Sequence, residues 1–322
     1  MGIAILWVMF FHSYLDVSAY PLLNIIKQTG YVGVDIFMFV SGFGIYYSLS
    51  KNTSLKTYYK NRILRILPYY IPIVAIYSLS LYSLNIWDIG TVIRNILTIN
   101  FWVEKNIIKL YDWYIPSILA IYALSPLFYK LFKKNKNITS ISVIIFFYAL
   151  SLTGIHYKSH LDLFHIQLLI LRIPTYIAGF WIADYIKNNP NTKLSTPKIV
   201  FAISALIIGT TTLTYLSLFH FTTYMTYSLF FMPIVVPPLC LLYCYIFSLL
   251  PKYRFPILTL CGTYSLTLFI FHERVRNSLV FLGVDEYMDF IAFAITFVLA
   301  ITWTKLVDYV LAKILSKFAH SY

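Results

Sequence analysis

Apolar runs of about 18 residues or more recur from one end of this chain to the other, and each is long enough to cross roughly 30 Å of hydrocarbon as a helix. A soluble chain of 322 residues could bury a large core, but it would still need charge to cover that core. Here 60% of the residues are hydrophobic and only 11% are charged, with a mean hydropathy of +0.75. The polar shell is missing. The fold class expected is therefore all-α: a polytopic membrane helix bundle with about 10 transmembrane helices. The 29 Tyr and 26 Phe fit that setting, because aromatic rings gather at membrane interfaces and between packed helices.

The apolar runs place spans at 2–20, 31–50, 66–86, 113–132, 138–156, 164–186, 199–218, 226–250, 257–273 and 288–311. Basic residues between them fall unevenly. Loops after even-numbered spans hold sixteen: Lys51, Lys56, Lys60, Arg62, Arg65, Lys130, Lys133, Lys134, Lys136, Lys187, Lys193, Lys198, Lys252, Arg254, Lys313 and Lys317. The opposite side holds seven: Lys27, Arg94, Lys105, Lys109, Lys158, Arg274 and Arg276. Apart from Lys130, at the end of span 113–132 and counted with the loop it borders, only Arg172 and Lys305 fall inside spans. By the positive-inside rule the first group is cytoplasmic, and both termini lie on that side. This placement also disposes of the net charge of +13 as a sign of nucleic acid, which would need basic residues gathered on one soluble face. No nucleic-acid partner is expected; membrane lipid is.

The first apolar run starts at Gly2 with no basic residue before it. A cleavable signal peptide is not expected, since its basic leader region is lacking. The absent anchor charge also raises the expectation that the natural start lies upstream of Met1. No repeat, low-complexity tract or appended soluble domain is visible, so residues 1–322 read as a single membrane-embedded domain. Cys240, Cys244 and Cys261 lie in apolar segments and read as small buried hydrophobes.

An ionisable group inside a bilayer costs on the order of a few kcal/mol, so each one needs an account. His12 ends the apolar run Ile3–Phe11 and is either a general base toward a hydroxyl or an interfacial His at a helix end. Asp35 sits a few residues into the second span and must pair. A His on the neighbouring span would let it orient an imidazole as the acid of a catalytic triad does; an Arg partner would make it a plain salt bridge. Arg62 and Arg65, three apart and so on one helical face, can clamp phosphates or simply anchor a cytoplasmic boundary. Arg172 lies well within a span and needs a carboxylate or a polar cavity, and Pro174 and Gly179 nearby point to an irregular helix. His272 and Glu273 close the ninth span, either as a structural pair at the outer rim or as part of a site. Asp112 and Trp113 open the fourth span, where a helix start and an aromatic belt account for them. Gly30, Gly33 and Gly42 are small enough to let helices approach closely. His156, His160 and His165 form a loop cluster that Asp162 alone does not complete into a metal site, and no metal is expected.

Three of these blocks, in order and spacing, carry a resemblance. Gly2-Ile-Ala-Ile-Leu through Phe11-His12, then Gly30-Tyr-Val-Gly-Val-Asp-Ile-Phe-Met-Phe-Val-Ser-Gly-Phe43, then Arg62-Ile-Leu-Arg-Ile-Leu-Pro68, resemble the membrane-bound acyltransferase type 3 family. These are bacterial enzymes that typically O-acylate surface polysaccharides. Later pieces agree: Trp113-Tyr with Tyr122 and Pro126, Arg172-Ile-Pro with Gly179, and Gly262-Thr-Tyr-Ser-Leu with Phe271-His272. The resemblance spans nearly the whole chain, and the second block is its most specific piece.

The resemblance implies ten spans with cytoplasmic termini and an essential histidine, here His12. Some relatives carry a fused periplasmic hydrolase-like domain; none is read here, so a stand-alone transferase is expected. An Arg usually stands eleven positions before the essential His, and that position is Met1, which agrees with the missing anchor charge. The implied chemistry has no tightly bound cofactor and takes acyl-CoA, by default acetyl-CoA, as co-substrate. Arg62 and Arg65 would hold its phosphates, His12 with Asp35 would activate an acceptor hydroxyl, and Trp113, Tyr122, Arg172, His272 and Glu273 would line the cavity. The acceptor would be a glycan or lipid-linked sugar at the bacterial cytoplasmic membrane. Two other classes compete: a transporter of polysaccharide or lipid-linked sugar, which the lack of an internal repeat counts against, and a non-catalytic scaffold of a glycan-synthesis complex.

Overall fold

A computed structural model of the chain describes residues 1–51, 54–104, 112–157, 164–190, 196–219, 227–250, 253–284 and 288–319. The side chains of the loop cluster His156, His160, Asp162 and His165 lie outside the described residues, as do those of Lys105, Lys109, Lys158, Lys193, Lys198, Lys252 and Lys317. Among the described residues every regular element is helical. Six helices are long and apolar enough to cross a membrane: Val32–Leu49, Leu55–Ser83, Tyr114–Lys134, Lys136–Thr153, Ile166–Asn188 and Asp289–Ile314. Shorter apolar helices run over Gly2–Phe11, Ala202–Thr212 and Met232–Ser248. The chain is an integral membrane protein.

The chain divides into two compact units. The first comprises Met1–Gly30, Lys60–Ile96 and Phe255–Tyr322. It opens with α1 (Gly2–Phe11), which stops at His12, well short of the span expected to residue 20. The reason is local. Polar Ser13, Asp16 and Ser18 follow, the Ser13 hydroxyl turns back to the Phe10 carbonyl at 2.8 Å, and the next helix, α2 (Pro21–Gln28), restarts with Pro21 in its first turn. In this turn-rich stretch the Ser18 N–H bonds Asp16 at 2.9 Å and holds that exposed carboxyl below its usual pKa.

The element following the second span, α3 (Val32–Leu49), is α4 (Leu55–Ser83), and most of α4 belongs to the first unit. It begins eleven residues before the expected span because the segment bearing Arg62 and Arg65 continues the helix, and Pro68 and Pro72 are carried inside it. A short α5 (Ile89–Ile96) is started by Asp88, whose carboxylate receives the Thr91 N–H at 2.9 Å and the Thr91 hydroxyl at 2.6 Å. Those two bonds pull the Asp88 pKa down to about 2.

The second unit comprises Tyr31–Tyr59 and Leu97–Arg254. Besides α3 it holds α6 (Asn100–Val103), α7 (Tyr114–Lys134), α8 (Lys136–Tyr157), α9 (Phe164–Ile170), α10 (Ile173–Asn188), α11 (Thr196–Phe219) and α12 (Met232–Ser248). The expected span 164–186 is thus two helices. Proline at 174 could not continue a helix from α9 without losing the bond to the Ile170 carbonyl, so α9 ends and α10 restarts with Pro174 in its first turn. The tightest pairing is α3 against α10. A Cβ at Gly42 would collide with the Tyr176 carbonyl, and one at Gly179 with the Phe39 carbonyl, so the two backbones touch through reciprocal glycines. We expect Gly42→Val to destabilise the protein by about 1–3 kcal/mol or more, read as a lower melting temperature in detergent, with Gly44→Val, whose Cβ would meet open space, as a near-neutral control.

At the far end of α10, Asp184 is 4% exposed and accepts the Tyr46 hydroxyl, while Lys136 and Lys133 stand 3.2 and 3.8 Å from it. Two of the lysines read as cytoplasmic anchors therefore also fasten the α7–α8 turn to α10.

The first unit is completed by α13 (Pro256–Thr263), α14 (Ser265–Phe281) and α15 (Asp289–Ala319). The expected span 257–273 is broken at Tyr264 and then runs on to Phe281, carrying Arg274 and Arg276 within the helix rather than in a loop. α1 packs on α13 and α14, and α14 packs on α15. A Cβ at Gly2 would strike the Leu258 carbonyl, so the start of α1 meets α13 backbone to backbone.

Of the cysteines, Cys261 is buried as expected, Cys240 is partly covered and Cys244 is exposed on the helix surface.

Candidate active site

In the first unit, the C-terminal end of α1 delivers His12 to the middle of α14. His12 Nδ1 lies 2.9 Å from Glu273 Oε1, and each side chain keeps about a third of its surface exposed (32% and 33%). The imidazole of His272 stands beside that of His12, with ring centroids 5.2 Å apart. His272 is itself 6% exposed, and its Nδ1 is 2.7 Å from the Phe269 carbonyl.

These contacts fix where the protons sit. A carboxylate accepts, so the neutral ring of His12 carries its proton on Nδ1 and presents a bare Nε2. The Phe269 carbonyl also accepts, so His272 presents a bare Nε2 as well, and that atom is buried without a hydrogen-bond partner. The arrangement is a histidine oriented by a carboxylate with its second nitrogen available to take a proton, the base-and-orienter half of a triad.

Two arginines flank it in sequence, and one of them ties down His12. Arg276 Nη1 donates to the backbone carbonyl of His12, and its guanidinium lies 4.9 Å from the centre of the Tyr14 ring. A cation at that point satisfies an orphan carbonyl at the end of α1 and opposes the partial negative charge there. Arg274, 6% exposed, donates to the Ile270 carbonyl and faces the Tyr77 ring at 5.7 Å. Both arginines were read from sequence as loop charges on the outer side. The signal that they do more is four ionisable residues within positions 272–276 at the end of an apolar run.

The acid expected beside His12 was Asp35. The structure gives that place to Glu273, and of the two partners left open for Asp35 it supplies the arginine. Asp35 and Arg172, each fully buried in the second unit, lie 3.4 Å apart (Arg172 Nε to Asp35 Oδ2). Arg172 Nη1 donates to the Leu168 carbonyl at 2.9 Å, and its guanidinium sits 4.6 Å from the centre of the Trp113 ring. The residue occupies the break between α9 and α10, where the turn lets a long side chain fold back on α9. Both carboxylate oxygens of Asp35 and the Nη2 of Arg172 have no hydrogen-bond partner, so the pair is held by charge in a low dielectric rather than by ideal geometry.

Trp113 and Tyr122 also belong to the second unit. Trp113 precedes α7 and is half-buried, while Tyr122, 8% exposed, reaches Ser41 at 3.5 Å and receives the Tyr58 hydroxyl on its backbone carbonyl at 3.1 Å. Arg62 and Arg65 lie on α4 in the first unit, Arg62 half-buried and Arg65 exposed. Within the first unit His12, His272 and Glu273 come together while Arg62 and Arg65 lie on α4; within the second unit Asp35, Arg172 and Trp113 come together.

No curated protein and no solved structure matches the chain significantly. A family model described as an acyltransferase domain does, over residues 2–309, essentially the whole chain. With that coverage, and with a carboxylate-oriented histidine at the end of its first helix, the chain belongs to the membrane-bound acyltransferase type 3 family.

Proposed function

We propose that this protein is an O-acyltransferase of the bacterial cytoplasmic membrane, moving an acetyl group from acetyl-CoA to a hydroxyl of a cell-surface or lipid-linked glycan. The observation that carries the reading is the contact of His12 Nδ1 with Glu273 at 2.9 Å, because it frees Nε2 to act as a base in a partly open position. His12 Nε2 takes the proton of the acceptor hydroxyl as the hydroxyl oxygen attacks the thioester carbonyl. Glu273 stabilises the imidazolium that forms. As the tetrahedral intermediate collapses, the carbon–sulfur bond breaks and the imidazolium returns the proton to the departing CoA thiolate. Atoms and charge balance with no further reagent.

Arg62 and Arg65, one helical turn apart on α4 with Arg65 exposed and Arg62 half-buried, serve the phosphates of the donor from the cytoplasmic side. The ten-span arrangement with both termini in the cytoplasm belongs to this reading, and the loop charges support it. Asp35 and Arg172 hold the second unit together around Trp113 and take no part in proton transfer.

The test is transfer of radiolabelled acetyl from acetyl-CoA in membranes expressing the chain. We expect label to appear in the glycan or lipid-linked sugar fraction and to be released by mild base, as an ester is. Membranes that leave all label on CoA, or pass it equally well with His12→Ala, would exclude the proposal.

A further inference from the structure

We propose that His12, His272 and Glu273 form a binding site for a borderline-soft divalent metal ion, zinc above all. Their candidate ligand atoms all lie within 4.8 Å of one another. What marks the trio out is the state of the two imidazoles. Metal-bound histidines almost always donate the N–H of the other ring nitrogen to a carboxylate or a backbone carbonyl, which fixes the tautomer and raises the basicity of the ligating atom. His12 makes the first kind of bond, to Glu273, and His272 makes the second, to the Phe269 carbonyl. Both are thereby set to present Nε2, and the one on His272 is buried with nothing bonded to it.

Ring spacing agrees. Two imidazoles on one tetrahedral zinc, with Zn–N of about 2.0 Å, hold their centroids about 5 Å apart; these two stand 5.2 Å apart. Glu273 stays on His12 Nδ1 as the outer-shell carboxylate, and waters complete four-coordination. Two imidazoles suit zinc better than magnesium or calcium, which favour all-oxygen shells.

Zinc in this place would occupy His12 Nε2. If the acyltransferase reading holds, the ion is a reversible inhibitor that competes with the acceptor hydroxyl for one lone pair. The binding claim stands without that reading.

Full-length protein purified in detergent and stripped with chelator should bind one equivalent of zinc. Cobalt(II) in its place should give the visible bands of four-coordinate cobalt, and zinc should abolish them. His272→Ala should weaken zinc binding at least about tenfold. On unaltered protein, zinc should shield His12 from diethyl pyrocarbonate, read by mass spectrometry of the N-terminal peptide, so the result does not hang on the variant folding. Absence of saturable zinc binding overturns the proposal, as does binding that is indifferent to His272→Ala and leaves His12 equally reactive. Zinc bound by protein that transfers no acetyl supports the metal site and counts only against the enzymatic reading.

Discussion

His12→Ala should lower acetyl transfer by about 10²–10⁴-fold, the range lost when a positioned general base is removed, while the protein remains folded in the membrane. Folding should survive because Arg276 binds the backbone carbonyl of His12, not its ring, and that tie is kept in the variant. Glu273→Gln should cost at least about tenfold: the amide can still hydrogen-bond the imidazole but cannot offset its positive charge. The informative comparison is Asp35→Asn. With Glu273 as the acid beside His12, activity per folded molecule in Asp35→Asn should stay within a few fold of the starting protein. A loss in Asp35→Asn as deep as in His12→Ala, at equal amounts of folded protein, would return Asp35 to the catalytic role first expected of it.

Arg172→Met should produce the largest loss of stability in the chain, about 3–5 kcal/mol, because it strands a fully buried Asp35 with no counter-charge. In detergent that corresponds to a fall in melting temperature on the order of 10 °C, measured by size exclusion after heating. Both oxygens of Asp35 already lack hydrogen bonds, so no second partner stands ready to take over. The double variant Asp35→Leu, Arg172→Met should recover most of the loss, since a buried ion pair replaced on both sides by apolar groups is often neutral or better. Failure of the double variant to recover would mean that one of the two charges does something beyond neutralising the other.

Most of the helical architecture could be read from hydropathy, because a bilayer imposes one length and one polarity on every crossing segment. Departures came where local polar chemistry overrides that rule. The first helix ends at Phe11 because Ser13, Asp16 and Pro21 turn the chain. α4 starts early because a basic segment can be helical as readily as an apolar one. The ninth expected span continued through its charged residues because those residues had partners waiting. For the candidate site, sequence named His12, His272 and Glu273 individually but could not join them. A pairing across some 260 positions leaves no trace in spacing, and Asp35 was the acid buried in the neighbouring span. Arg172 was different. Its depth within an apolar run demanded a carboxylate or a polar cavity, and Asp35 supplies the carboxylate.

α14 has a consequence for how the protein is made. A charged residue near the centre of a crossing segment opposes insertion by roughly 2.5–3.5 kcal/mol, and this seventeen-residue helix carries Glu273, Arg274 and Arg276. Its leucines, phenylalanines and other apolar side chains, at roughly 0.3–0.6 kcal/mol each, do not make up the difference. α14 therefore cannot enter lipid as an independent hairpin leg straight from the ribosome. It has to be received by a helix that is already in place, and the receiver it bonds to was translated 264 residues earlier. The group of His12, His272 and Glu273 is thus complete only once α14 arrives to meet the earliest segment of the chain.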